Sequence, residues 1–253
     1  MKHHFKPVRI SWRLLLLTLH VFNGFILAVC FLRDKIHPDT LAARLSLWWH
    51  KGICNIFGVK IKTSGDINQV PTLFVVNHIS WFDIPALGST VPVHFLSKDE
   101  VNSWPVIGLI AKKAGTLFIK RGARGAAEQS LSEITNSLKN GSHVIIFPEG
   151  TTTDGTSVKR FHSRLFQAAI DAAVPVQAVA LTYPHPEGVH PKAPFIGDTQ
   201  FLESTLDMIS EKNMEVSLNF LAAIDSQGHS RDELATITHN KILLSITNNK
   251  TLN

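Results

Sequence analysis

The sequence predicts an α/β domain on a largely parallel sheet flanked by helices, preceded by an N-terminal membrane-associated helical pair. Three observations predict it. Short runs rich in branched and aromatic residues recur from about residue 60 onward, amphipathic stretches separate them, and one nearly unbroken apolar run stands near the start. Strands that alternate with helical patterns imply a parallel sheet, because each parallel pair needs a crossover connection. A chain of 253 residues is long enough for one sizeable domain with its own core.

Leu14 to Leu32 is almost wholly apolar, broken by Thr18, His20, Asn23 and Gly24, and a bilayer-spanning helix needs about 20 such residues. Lys2, Lys6, Arg9 and Arg13 precede it; Arg33 and Lys35 follow. A cleaved signal peptide fits poorly, since no A-x-A site follows and Val29 occupies the small-residue position of the lipoprotein-like Leu27–Cys30. A spanning helix leaves orientation undecided, because basic residues flank both ends. A helix lying in one leaflet keeps both flanks at one anionic surface and accommodates His20 and Asn23 more easily. Thr40 to Phe57 reads as a second helix, with Leu41, Leu45, Trp49 and Ile56 on one side and Arg44, Lys51 and Asn55 on another. The Trp48-Trp49 pair suits the headgroup level. The expected division is a membrane-associated segment over 1–58 and an α/β domain over 59–253. The plainer alternative is that the second helix simply packs on the domain.

Within the domain the expected strands are Thr72–Val76, Val93–Leu96, Gly115–Lys120, His143–Phe147, Val176–Leu181 and Glu215–Ala222. The expected helices are Asp83–Leu87, Trp104–Lys113, Arg124–Lys139 with an Asn140-Gly141 stop, Ser163–Ala173 and Arg231–Thr247. Tyr183–Pro194, with four prolines, reads as an irregular loop.

Hydrophobic residues make up 44% and charged residues 18% of the chain, which excludes a disordered or polytopic membrane protein. The formal net charge of +5 suits anionic partners such as lipid headgroups, coenzyme A or an acidic carrier protein. Nucleic acid is not expected, since acidic residues are interspersed and no recognised binding motif is present. Two cysteines, Cys30 and Cys54, make no disulfide framework. The 13 histidines are scattered without H-E-x-x-H or H-x-H spacing, so no metal is expected.

Four segments carry chemistry. The first, Asn77-His78-Ile79-Ser80-Trp81-Phe82-Asp83, follows the apolar run Leu73–Val76, and ligands of parallel sheets gather beyond the carboxyl ends of strands. Five helical steps rotate about 500°, so His78 and Asp83 meet only if His78 lies in the turn and Asp83 opens the helix. Asp83 would then hold one imidazole nitrogen and leave the other to take a proton. No G-x-S-x-G elbow or suitably placed cysteine supplies a nucleophile, so the nucleophile would be a substrate hydroxyl, with Ser80 as the rival. On these residues alone a buried, hydrogen-bonded His–Asp pair is the plainer reading. The second segment, Phe147-Pro148-Glu149-Gly150-Thr151-Thr152, is a turn after a strand, able to meet an anion or simply to turn a corner. In the third, Gly115 to Gly122, Arg121 can grip a phosphate or remain a solvated surface arginine. The fourth, Val174 to Leu181, is a buried strand entered through Pro175.

In chain order the four segments resemble the glycerolipid acyltransferase family that includes 1-acylglycerol-3-phosphate acyltransferases. Its N-H-x4-D motif is met by Asn77, His78 and Asp83. Its G-x-x-F-I-x-R motif is met by Gly115, Phe118, Ile119 and Arg121, its F-P-E-G-T motif by Phe147 to Thr151, and its last motif by Pro175. The match spans about residues 70–185. The resemblance implies that His78 deprotonates the acceptor hydroxyl, that Asp83 orients His78, and that acyl-CoA or acyl carrier protein donates the acyl group. It implies a substrate site of Arg121, Glu149, Gly150 and Thr151, with Gly115 and Phe118 from the second motif. It further implies no cofactor, a lysophospholipid acceptor drawn from membrane lipid, and a place at the cytoplasmic face of the inner membrane. 1-Acylglycerol-3-phosphate is the first acceptor it suggests. Lys120 stands where many members have Asp, and the run from Phe147 to Gly155 is also similar to relatives that acylate lyso-ornithine lipid. A catalytically silent lipid binder and a serine esterase acting through Ser80 are the rivals from other classes.

Overall fold

The structure, a computed structural model, describes residues 5–30, 37, 39–119 and 125–251. Two helices, α1 (Phe5–Cys30) and α2 (Leu41–Phe57), lead into β1 (Val59–Ser64), β2 (Leu73–Val76), α3 (Asp83–Gly88), β3 (Val93–Lys98), α4 (Asp99–Asn102), α5 (Ile107–Lys113) and β4 (Leu117–Ile119). Then come α6 (Ala126–Lys139), β5 (His143–Ile146), a 3-10 turn (Ser163–Phe166), α7 (Gln167–Ala172) and β6 (Val176–Thr182). A small ribbon of β7 (Pro184–His185) and β8 (Gly188–Val189) precedes α8 (Phe201–Ser210), β9 (Met214–Phe220) and α9 (Arg231–Thr251).

Seven strands form one sheet in the order β1-β9-β6-β2-β5-β3-β4. The five from β6 to β4 run parallel, as the alternation predicts. At the other end β9 is antiparallel to β6, and β1 follows β9 in parallel. The central strands are apolar on both faces because helices cover both. Phe74 and Val76 face the layer that includes α2 and α8, whereas Leu73 and Val75 face the layer of α6, α7 and α9. In β9, by contrast, buried Met214, Val216, Leu218 and Phe220 alternate with more exposed residues.

Several elements differ from expectation. β1 and α8 are additions; Val59 and Ile61 alternating with Lys60 and Lys62 carry the period-two signal of an edge strand. The expected Gly115–Lys120 strand shortens to Leu117–Ile119, and Lys120 to Arg124 lie outside the described residues. α5 starts at Ile107 rather than Trp104, because Pro105 disfavours helical geometry at the residue before it. The Tyr183–Pro194 loop contains the β7–β8 ribbon.

The N-terminal helix is docked along its length. The Arg13 guanidinium donates to the carbonyls of Ile209 and Glu211, and Arg9 to Ser210 at 2.6 Å. These cations satisfy open carbonyls at the end of α8, where the helix dipole favours positive charge. The His20 Nε2–H donates to Trp49 O at 2.9 Å, and the Trp49 indole N–H returns a bond to His20 O at 3.2 Å. Gly24 and Gly52 permit this closeness: a Cβ on Gly24 would lie 2.2 Å from the Trp49 indole nitrogen, and one on Gly52 2.3 Å from the His20 ring. The opposite face of α1 is an exposed apolar stripe, Val8, Trp12, Leu15, Leu19, Phe22, Ile26 and Val29, stepping alternately by four and three residues. Leu41 and Trp48 of α2 are exposed as well. Over Pro7–Cys30 the helix is long and apolar enough to cross a membrane.

Two buried histidines make the fold sensitive to acid. Burial pushes His50 and His143 down to about 4, from an ordinary value of 6.5. His143 Nδ1 has no hydrogen-bond partner among the described residues. Because these rings fold neutral and protonate when unfolded, their contribution to stability is present above 6.5 and is lost as pH falls toward about 4. His143→Phe, which replaces the ring beside Phe74 with one that cannot titrate, is expected to make this decline shallower. Urea unfolding midpoints across the window check it; a decline as steep as the parent's would show that His143 is not among its causes.

Candidate active site

Three adjacent parallel strands, β6, β2 and β5, end at one edge of the sheet, and each supplies part of the site. His78 follows β2, Glu149 follows β5 and Tyr183 follows β6. Asn77 ties two of these ends together: its side-chain amide donates to Leu181 O at 2.9 Å and accepts from Leu181 N–H at 2.8 Å.

His78 lies in the turn, and Asp83 is the first residue of α3. The structure brings His78 Nδ1 to 2.8 Å from Asp83 Oδ2. The same oxygen accepts the N–H groups of Ile79 at 2.8 Å and Ser80 at 3.0 Å, while Oδ1 accepts the Tyr183 hydroxyl at 2.7 Å. Asp83 is fully buried, and a buried carboxylate needs such donors. Since Oδ2 meets the imidazole as an acceptor, Nδ1 carries the proton and Nε2 keeps its lone pair. The His78 side chain is 19% exposed, enough for a substrate to reach it. Phe147 stacks against the ring at 4.0 Å between centroids and 16° between planes.

The backbone of His78 is held from both sides. Its N–H donates to Glu149 Oε1 at 2.7 Å, and its carbonyl accepts the Thr153 N–H at 2.8 Å. Glu149 Oε2 accepts the Lys159 N–H at 2.7 Å. Glu149, which the resemblance assigns to the substrate, is 4% exposed and has each oxygen on a backbone N–H. Burial pushes its carboxyl above the ordinary value, against those two donors. Gly150 turns the chain at φ +69°, where a side chain would be strained. Thr151 is exposed at the turn, and the Thr152 hydroxyl donates to Phe195 O.

Gly115 and Phe118 are not gathered at the pair. Gly115 precedes β4, at the amino end of a strand that β5 and β3 separate from β2. Its φ is +74° and a Cβ there would lie 2.8 Å from the buried His94 ring, a packing role. Phe118 lies within β4, opposite Ser97. Arg121 lies outside the described residues. Ser80 is fully buried, with its hydroxyl 3.9 Å from the Met208 sulfur and accepting the Phe82 N–H, and among the described residues no hydrogen bond joins that hydroxyl to the His78 ring. Tyr183 was not anticipated, although one compositional signal marks it: it is the single tyrosine in a chain with 15 phenylalanines.

A His–Asp pair at the carboxyl edge of a parallel sheet covered by helices belongs to an α/β enzyme. Residues 58–182 match the family described as Acyltransferase. The lyso-ornithine lipid O-acyltransferase of Pseudomonas aeruginosa is 40% identical over 206 residues, covering 81% of this chain and 80% of the relative. A 1-acyl-sn-glycerol-3-phosphate acyltransferase of Neisseria gonorrhoeae is 35% identical over 163 residues, 64% of each chain. The crystal structure of the 1-acyl-sn-glycerophosphate acyltransferase PlsC from Thermotoga maritima shares the fold, with a TM-score of 0.73 at 20% identity over 99% of this chain and 98% of that one. The chain belongs to the acyltransferase family, among its lysolipid acyltransferases.

The hydrogen bonds of Glu149 generate a prediction. Glu149→Gln leaves one acceptor for two backbone donors and aims an amide at the other, which is expected to cost about 1–3 kcal/mol. Unfolding measurements check this. A variant with parental stability and only a raised KM for the acceptor would instead identify Glu149 as a headgroup ligand.

Proposed function

We propose that this chain transfers a fatty acyl group from acyl-CoA or an acyl carrier protein to the free hydroxyl of a lysolipid, with His78 as general base. The observation that carries the reading is the imidazole held by Asp83 at Nδ1, with Nε2 left open and no protein nucleophile beside it among the described residues. Nε2 takes the proton of the acceptor hydroxyl as its oxygen attacks the thioester carbonyl. The tetrahedral intermediate collapses, the carbon–sulfur bond breaks, and the imidazolium returns the proton to the leaving thiolate. Asp83 fixes the tautomer and stabilises the imidazolium that forms between these steps. Glu149 and Phe147 hold the backbone and ring of His78 in place. No metal or organic cofactor takes part. Arg121, with Lys120 beside it, is the proposed headgroup contact.

The acceptor we favour is lyso-ornithine lipid, because relatives of that name match this chain over most of its length. The sequence motifs alone place 1-acylglycerol-3-phosphate first, and the Neisseria relative keeps it as the second reading. The proposed site of action is the cytoplasmic face of the inner membrane, with the apolar stripe of α1 in one leaflet. The bonds of Arg9, Arg13 and His20 to α8 and α2 support this arrangement, since a helix fastened along its length to the domain cannot cross the bilayer alone.

Thiol release from acyl-CoA, and from acyl carrier protein, with lyso-ornithine lipid, lysophosphatidic acid, lysophosphatidylcholine or no acceptor tests the chemistry. Release is expected to need a lysolipid, to be fastest with lyso-ornithine lipid, and to fall by about 10²–10⁴-fold in His78→Ala. Release that needs no acceptor and survives His78→Ala would make the chain a hydrolase. The leaflet arrangement predicts that protease reaches an N-terminal tag and the domain from the same side of membrane vesicles; opposite-side cleavage would establish a spanning helix.

A further inference from the structure

Tyr183 stands at the end of β6, fully buried, with its hydroxyl on Asp83 Oδ1 at 2.7 Å. The three donors on Oδ2 are His78 and the adjoining turn; among the described residues only Tyr183 donates to Oδ1. Phenylalanine supplies most of the aromatic bulk in this chain. What distinguishes position 183 is therefore its phenolic oxygen rather than its ring.

We propose that Tyr183 is a positioning residue for acyl transfer, acting through Asp83 to set the orientation and proton affinity of His78. The inference rests on the reading of His78 as the base. Anchoring Oδ1 fixes the plane of the carboxylate, and hence the direction from which Oδ2 holds Nδ1. The bond also disperses charge. With a neutral imidazole the His78–Asp83 pair carries one negative charge, and with an imidazolium it carries none. A donor on Oδ1 therefore stabilises the first state more, and its loss makes the pair hold a proton to higher pH.

The surroundings leave Tyr183 suited to this task. Burial and the Asp83 charge raise its phenol well above 10, so it remains a donor across the working range. Glu149 faces His78 from the β5 side, with Lys159 beside Glu149. Ser80 and Cys54 of α2 lie beside the phenol, and burial pushes the Cys54 thiol up to about 12, which keeps it neutral. The His190 N–H is on the Tyr183 carbonyl at 2.9 Å and does not compete for its hydroxyl.

Because the chain has a single tyrosine, growth on 3-fluorotyrosine places a more acidic phenol at this one position without a mutation. The experiment compares the pH dependence of kcat for the parent, Tyr183→Phe, the fluorotyrosine protein and His78→Ala, with acyl-CoA and a lysolipid. Tyr183→Phe is expected to lose about tenfold to a hundredfold in kcat with KM little changed, and its acid limb moves to higher pH. The fluorotyrosine protein, a stronger donor of nearly the same shape, moves the limb to lower pH. Opposite shifts support the proposal, since a merely structural contact would move neither limb. Should Tyr183→Phe fail to fold, the limb of the fluorotyrosine protein decides alone. Limbs that stay with the parent's, alongside an inactive His78→Ala, overturn the role of Tyr183 and leave the base assignment standing; an active His78→Ala overturns both.

Discussion

The carboxylate of Asp83 is the point on which the site depends. It is sealed from water, yet four donors from two parts of the chain converge on it. The Ile79 and Ser80 N–H groups shape the turn that follows β2, the His78 ring takes its direction from the same oxygen, and Tyr183 connects that turn to the end of β6. A buried charge is costly unless it is satisfied in this way, so the interactions that make it tolerable also define the geometry of the imidazole. Fold and site are thus coupled through one residue.

A second layer of support comes from Glu149. Its two oxygens join the turn after β2 to Lys159, in the loop that follows β5, and they do so through backbone N–H groups. The F-P-E-G turn therefore acts beneath the imidazole. Phe147 from the same turn covers one face of the ring. Together with the Asn77 clasp on Leu181, these contacts cross-link the ends of β6, β2 and β5. The imidazole is held by a framework of the protein's own backbone and side chains.

The N-terminal helices pack against the domain that carries this framework. Polar breaks in the apolar run, His20 and Gly24, meet α2, and the basic flank residues Arg9 and Arg13 close the end of α8. Their hydrophobic neighbours on the other face are left outward as one stripe. An exposed apolar face of this extent on a lysolipid acyltransferase suits association with a membrane.

Much of this was legible in the sequence. The parallel core, the helix from Leu41 to Phe57, and a His–Asp pair joined across a turn follow from local periodicity and from five-residue spacing, which short-range geometry governs. Edge strand β1 also carries a readable alternation, Val59 and Ile61 against Lys60 and Lys62. Tertiary structure alone decided the rest. Tyr183 lies 100 residues from Asp83, and Glu149 lies 71 from His78. No local pattern records that β6 and β5 flank β2, and it is this strand order that brings both residues to the pair. The antiparallel entry of β9 likewise depends on which edge the chain returns to. Residue chemistry and spacing determined what the groups can do; the order of the strands determined which of them meet.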